Sequence, residues 1–215
     1  MGLAEMFALS FTIGLSGAMS PGPLTVLTVA ETARRGMIAP FLIVAGHAGM
    51  ELLATTALSL GLLAAANSPR FIGTISLVGG TAMFALALVM FHEAVARPFS
   101  VDSPGTGTAG GNFRLLGTGA MTSISNPYFA VWWITVASGI LVTAAKSGVA
   151  MVGAFYTGHI LADLVYYLVI GIAVTAGRRF IGGKIYRLIM ALLALAMAGF
   201  GLMFVWKGFT AFTIH

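Results

Sequence analysis

The segment SPGP at residues 20–23 decides how this chain can fold, because a related segment, SNPY, occurs at residues 125–128. A second motif repeats in the same order: GHAGME at residues 46–51 is matched by GHILAD at residues 158–163. All four segments lie within long apolar runs, where proline, histidine and carboxylate side chains are unusual. The chain therefore contains two related units, each with a proline-containing segment followed by a histidine and carboxylate pair.

The composition excludes an ordinary water-soluble domain. Of the 215 residues, 59% are hydrophobic and only 8% are charged, whereas soluble domains carry about 25% charged residues. The net charge is +5, but the 11 basic residues are scattered over several loops and form no continuous stripe of the kind that binds nucleic acid. The chain has no cysteine, which excludes disulfides, thiolate metal sites and redox relays, and we expect no cofactor.

Six apolar segments are long enough to cross a bilayer, which takes about 20 apolar residues in a helix. They fall at residues 6–30, 37–65, 71–91, 115–143, 149–176 and 185–206. The sequence therefore predicts an all-α, polytopic membrane protein with six transmembrane helices. Almost no chain remains for an extramembrane catalytic domain, so we do not expect an enzyme.

A segment rich in Gly, Ser and Thr divides the six helices into two groups of three. Residues 1–92 are the first predicted three-helix repeat, residues 93–114 a flexible cytoplasmic linker, and residues 115–215 the second repeat. Because each unit has an odd number of helices, the second must cross the membrane in the opposite direction. Inverted repeats of this kind are typical of secondary transporters, whose working site lies near the middle of the membrane.

The basic residues predict the orientation of the chain. With the amino terminus outside, eight Lys and Arg side chains lie in the inner loops and three in the outer loops, which agrees with the positive-inside rule. The inner set is Arg34, Arg35, Arg97, Arg114, Arg178, Arg179, Lys184 and Arg187, and the outer set is Arg70, Lys146 and Lys207. Both termini are therefore predicted to lie outside.

Prolines are predicted to break the first and fourth helices at matching places. Pro21 and Pro23 in the first helix, and Pro127 in the fourth, each lack an N–H and clash with a preceding carbonyl. The carbonyls expected to lose their partners are those of Gly17, Met19 and Ser123. The broken helix ends after Pro21 and Pro127 are expected to expose N–H groups that suit an anion such as a carboxylate. A simple packing kink is the alternative.

Two histidine and carboxylate pairs lie at helical spacing. His47 and Glu51, like His159 and Asp163, are four residues apart, so each pair occupies one helix face at about 5 to 6 Å. A carboxylate at the centre of a span costs ~2.5 to 3.5 kcal/mol and usually faces a cavity or a partner. Such a pair can exchange protons near neutral pH. Two alternatives remain open: a polar clamp between helices, and a divalent-metal site formed by all four side chains.

An aromatic cluster follows the second break. Tyr128, Phe129, Trp132 and Trp133 come directly after Pro127. Tyr128 and Trp132 are predicted to stack on an organic ligand or a cation, although aromatic side chains in membrane helices also serve as packing and interfacial residues.

The chain resembles the LysE/RhtB family of translocators. The resemblance lies in SPGPLTVLTVAETARRG at residues 20–36, GHAGMELL at 46–53, SISNPYFAVWW at 123–133 and GHILADLVYY at 158–167. It implies a small inner-membrane exporter of amino acids or related metabolites, driven by a proton or ion gradient. It also implies that the motif positions are Pro21, Gly22, Pro23, Asn126 and Pro127. The chain differs from the homoserine and threonine branch, which usually carries an Asp in helix 2 without this histidine pattern.

The sequence supports two transport hypotheses. The first is export of an amino acid or similar metabolite by proton antiport, with the lipid bilayer, protons and the substrate as partners and a homodimer as a possible assembly. The second is export of a divalent metal cation, which the wider superfamily includes. A membrane assembly factor that transports nothing is a third class, favoured only by the clamp interpretation.

Overall fold

The computed structural model describes residues 1–20, 22–61, 69–96, 111–177 and 183–213. Within these ranges the chain is helical and has no strand, which confirms the all-α prediction. The helices are α1 (Leu3–Ala18), α2 (Pro23–Arg35), α3 (Ile38–Ser59), α4 (Pro69–Ala96), α5 (Gly111–Ile124), α6 (Pro127–Trp132), α7 (Ser138–Lys146), α8 (Val149–Gly177) and α9 (Gly183–Thr213). A π-helical segment, Trp133–Ala137, joins α6 to α7.

Five helical segments of the described chain are long and apolar enough to cross a membrane. They are Ile38–Ser59, Arg70–His92, Pro127–Lys146, Val149–Gly177 and Arg187–Phe212. The pair α1 and α2, bent by 78° at the first break, makes a sixth if it is one broken span. The protein is therefore a multi-pass membrane protein.

The fourth segment differs from the prediction of one span at residues 115–143. The chain ends α5 at Ile124 and starts a new helical run at Pro127 that is long enough to cross the membrane alone. The boundaries of the predicted linker also change, because α4 continues to Ala96 and α5 begins at Gly111. Residues 97–110 lie outside the described residues, so the flexible linker stays a prediction.

The prolines begin helices, where the sequence predicted that they would interrupt them. Pro23 and Pro127 are the first residues of α2 and α6, behind the extended N-cap residues Gly22 and Asn126. A proline at this position gives up an N–H that would have no helical partner.

Because each preceding helix ends before the proline, the carbonyls of Gly17 and Ser123 are not freed. They accept hydrogen bonds from the backbone N–H groups of Ser20 and Asn126, both at 3.1 Å. Pro21 lies outside the described residues.

The helix packing follows the duplication seen in the sequence. Helix α1 packs along α8, the matching helix α5 packs along α3, and α4 packs along α9. Glycines permit the first two contacts: a Cβ on Gly46 would collide with the Leu116 carbonyl of α5, and one on Gly158 would lie 2.5 Å from the Phe7 carbonyl of α1. The opposite orientation of the two units in the membrane stays a prediction.

Candidate functional site

The two histidine and carboxylate pairs meet in the protein interior. Glu51 on α3 holds its Oε1 atom 3.1 Å from Nε2 of His47 and 3.0 Å from Nε2 of His159 on α8. Asp163 places Oδ2 3.9 and 3.8 Å from the same two nitrogens. All four side chains are buried. The spacing predicted each pair, and the packing of α3 against α8 brings the pairs together into one four-residue cluster.

Both ring nitrogens of His47 have polar neighbours. Nδ1 lies 2.6 Å from Ser123 Oγ, a hydroxyl that also lies 2.8 Å from the Gly119 carbonyl oxygen. Nε2 lies 3.1 Å from Glu51 Oε1, and a proton on Nε2 would donate to this carboxylate oxygen. His47 thus connects α5 to Glu51.

Three buried polar atoms of the cluster have no hydrogen-bond partner among the described residues. They are Oε2 of Glu51, Oδ2 of Asp163 and Nδ1 of His159. Leaving such an atom unpaired costs about 1 to 3 kcal/mol. The cluster therefore has the capacity to bind water, protons, a cation or the donor groups of a ligand.

A small cavity joins the cluster to both helix breaks. Its volume is about 50 Å³, and since a water needs ~10 to 15 Å³ by this measure, it has room for a few waters. Ser20 and Gly22 line it from the first break, and Ser123 and Asn126 line it from the second. We call this space, which also contains the four-residue cluster, the central cavity.

Aromatic side chains form one wall of the central cavity. The rings of Trp132 and Trp133 lie 4.6 and 5.2 Å from the His159 ring, centroid to centroid. Phe129 contacts His47 edge to face at 5.6 Å. Tyr128 also lines the cavity, and its backbone N–H donates to the Asn126 side chain at 3.1 Å. The predicted aromatic cluster thus borders the polar cluster.

Two of the motif prolines do not line the central cavity. Pro127 is buried against Gly79 of α4, where an added Cβ would lie 2.9 Å from the proline Cβ. Pro23 faces a second cavity described below. Both start the helices whose N-cap residues, Asn126 and Gly22, do line the central cavity, and Pro21 lies outside the described residues.

Three further residues contribute to the site. Ser123 on α5 bonds His47, a contact that the sequence does not predict. Phe155 stacks parallel to the His159 ring, and Tyr167 lines the central cavity. Phe155 lies four residues before His159 and Tyr167 four after Asp163, so helical periodicity along α8 is the signal that could have found these two residues.

The comparison with protein families identifies the chain. Residues 15–208 match the model of the LysE type translocator. The chain belongs to this family. The match covers both breaks, both histidine and carboxylate pairs and the aromatic wall, and it confirms the resemblance seen in the motifs. A LysE type translocator is a transporter, so the four-residue cluster lies inside a membrane transport protein. Comparisons with curated proteins and with solved structures give no match.

Proposed function

We propose that this LysE type translocator exports an amino acid or a similar small metabolite from the cell in exchange for protons, and that it is a transporter and not an enzyme. The observation that carries the proposal is the position of Glu51 Oε1, which lies within 3.1 Å of two histidine nitrogens beside a cavity that reaches both helix breaks. Ionisable residues inside a membrane protein usually mark a substrate or proton pathway.

The four-residue cluster supplies the proton sites. A proton shared by His47 and Glu51 can pass to His159, because the same Glu51 oxygen lies 3.0 Å from His159 Nε2. Asp163, slightly farther from both rings, supplies a second carboxylate for a proton or for the ammonium group of a substrate. The clamp interpretation explains the contacts but leaves three buried polar atoms without a hydrogen-bond partner in the described part of the chain.

The breaks supply the substrate site. Gly22 and Asn126, the N-cap residues of α2 and of the helical run Pro127–Lys146, line the central cavity, and the positive ends of these two helix dipoles favour a carboxylate there. A cavity of about 50 Å³ is too small for an amino acid, so binding requires the two breaks to move apart. The two three-helix units lie in opposite orientations in the inner membrane, with both termini outside. Rocking of one unit against the other would open the cavity to each side in turn. A homodimer stays a prediction.

Flux into proteoliposomes tests this function. With an imposed pH gradient, we expect the wild-type protein to move a labelled amino acid, and we expect Asp163→Asn to lower that flux about tenfold or more, because one carboxylate of the proton site is lost. Gln or Asn variants of an exposed acid, such as Glu5→Gln, are the controls. A wild-type protein whose amino-acid flux ignores the pH gradient would contradict proton coupling.

A second candidate function is export of a divalent cation, and one observation favours it. The four distances between histidine nitrogens and carboxylate oxygens in the cluster run from 3.0 to 3.9 Å. Ligands at about 2.05 Å around a tetrahedral Zn²⁺ are about 3.4 Å apart. His47, Glu51 and Asp163 alone place one ligand atom each within 4.8 Å of one another. These three side chains therefore match the spacing of a three-ligand site for a metal carried as substrate, and His159 lies outside this group and contacts it through Glu51.

Metal flux separates the two candidates. If the cation is the substrate, Zn²⁺ or Mn²⁺ uptake into the same proteoliposomes is expected to saturate. Replacing His159 with Gln is expected to lower the apparent affinity about 10- to 100-fold, because His159 orients the Glu51 carboxylate. Amino-acid flux without metal flux would reject this candidate.

A further inference from the structure

A second cavity of about 280 Å³ lies beside the central cavity. Helices α2, α4, α5 and α9 supply its walls, which are mostly apolar and include Val26, Leu27, Met90, Met190 and Met197. Its volume is close to the lower end, ~300 Å³, of small-molecule sites. We call it the vestibule. It is several times larger than the central cavity and is the one of the two with room for an organic molecule.

One layer of residues separates the vestibule from the central cavity. On α2, Pro23 faces the vestibule whereas Gly22 and Leu24 face the central cavity. On α5, Thr122 faces the vestibule and Ser123, the partner of His47, faces the central cavity. A small displacement of the first turn of α2 against the last turn of α5 would therefore connect the two spaces.

The packing of the two breaks is asymmetric, and the vestibule lies on the open side. At the second break, Pro127 is seated on Gly79 of α4 with no space between them. At the first break, Pro23 borders the vestibule together with residues of α9. The first residue of α6 is thus packed against α4, whereas the first residue of α2 borders the vestibule.

The wall of the vestibule carries opposite charges near the C-terminal end of α2. Glu31 and Arg34 both line it. Arg35 holds Oε2 of Glu31 at 2.6 Å and also donates to the Gly111 carbonyl at 3.3 Å. Arg34 lies 3.9 Å from the other oxygen, Oε1, and its side chain is 59% exposed. Oε1 can therefore accept an ammonium group while the Arg34 guanidinium binds a carboxylate.

We propose that the vestibule is a second ligand site, on the predicted cytoplasmic side, for an amino acid with a large apolar side chain. This inference rests on the proposed function and narrows its substrate class. The ammonium and carboxylate groups lie at Glu31 and Arg34, and the side chain lies among the methionines, whose flexible thioethers adapt to different apolar shapes. Thr118 and Thr122 add hydroxyl groups on the wall toward the central cavity. A lipid acyl chain would use the apolar walls but not the charge pair.

Thiol labelling tests the site without requiring transport. The chain contains no cysteine. Ala30 lines the vestibule, so the variant Ala30→Cys carries a single thiol at this site. In proteoliposomes, leucine is expected to slow its reaction with a water-soluble maleimide at least fivefold, whereas glycine and lysine at the same concentration are not. Ser147→Cys, at an exposed position after α7, is the matched control and is expected to react equally with and without leucine.

A filling variant tests the route. Ala30→Phe is expected to reduce leucine flux at least tenfold by occupying the vestibule, whereas Ala85→Phe, the same change on the exposed face of α4, leaves flux unchanged. The inference is overturned if leucine does not slow the maleimide reaction of Ala30→Cys. It is also overturned if the labelling rate changes only with the presence of lipid and not with leucine. Protection by leucine in a protein that transports no amino acid would support the site and overturn the proposed function instead.

Discussion

Replacing Glu51 with Gln is expected to lower proton-driven flux about 100-fold, a loss equivalent to about 2.7 kcal/mol. Glu51 Oε1 is the atom that both histidine Nε2 atoms approach within 3.1 Å. A glutamine keeps the shape of the side chain, and its amide oxygen still accepts hydrogen bonds, but the amide cannot hold the exchanged proton. The measurement is uptake of labelled substrate into proteoliposomes with and without a pH gradient.

Exchange at equal pH separates proton coupling from substrate binding in the same variant. Exchange of labelled for unlabelled substrate requires no net proton movement, so Glu51→Gln is expected to retain it. Glu5→Gln is the control, because Glu5 is exposed at the start of α1 and bonds only the local Gly2 N–H at 2.9 Å among the contacts described. Gradient-driven flux equal to that of the wild type would remove Glu51 from the mechanism.

The sequence predicts the four members of the cluster but not that the two pairs lie in contact with each other. The spacing of four residues places His47 beside Glu51, and His159 beside Asp163, on any straight helix. Which helices pack together depends on contacts between distant parts of the chain. The glycine before each histidine is the residue that lets α3 approach α5 and α8 approach α1. That signal is present in both GH motifs and could have indicated close packing.

The breaks illustrate a second limit. Proline inside an apolar run correctly predicts an interruption, but the carbonyls of Gly17 and Ser123 keep their hydrogen bonds. The reason is that Gly22 and Asn126 act as N-caps and let each proline start a new helix. The place of Glu31 and Arg34 at the vestibule depends on the distance between α2 and α9, which no local pattern encodes.

Adding one methyl group at Gly46 or at Gly158 is expected to destabilise the protein by about 3 kcal/mol or more, the upper range of overpacking effects. At Gly46 the new Cβ would collide with the Leu116 carbonyl, and at Gly158 it would lie 2.5 Å from the Phe7 carbonyl. Both obstacles are backbone atoms of a neighbouring helix, so the helices must separate. The gain in helix propensity from Gly to Ala is only about 1 kcal/mol and cannot offset this cost.

Thermal unfolding in detergent measures the effect, and each helix provides its own control. Nothing lies within 4 Å of a Cβ added at Gly49 on α3 or at Gly153 on α8, so Gly49→Ala and Gly153→Ala are expected to be as stable as the wild type or up to about 1 kcal/mol more stable. Equal stability of Gly46→Ala and Gly49→Ala would contradict the close packing of α3 on α5. Gly46 and Gly158 directly precede His47 and His159. A Gly46→Ala or Gly158→Ala protein that still folds must separate its helices, which shifts the two histidines relative to each other. Such a variant is therefore expected to lose proton coupling even where its helices remain intact.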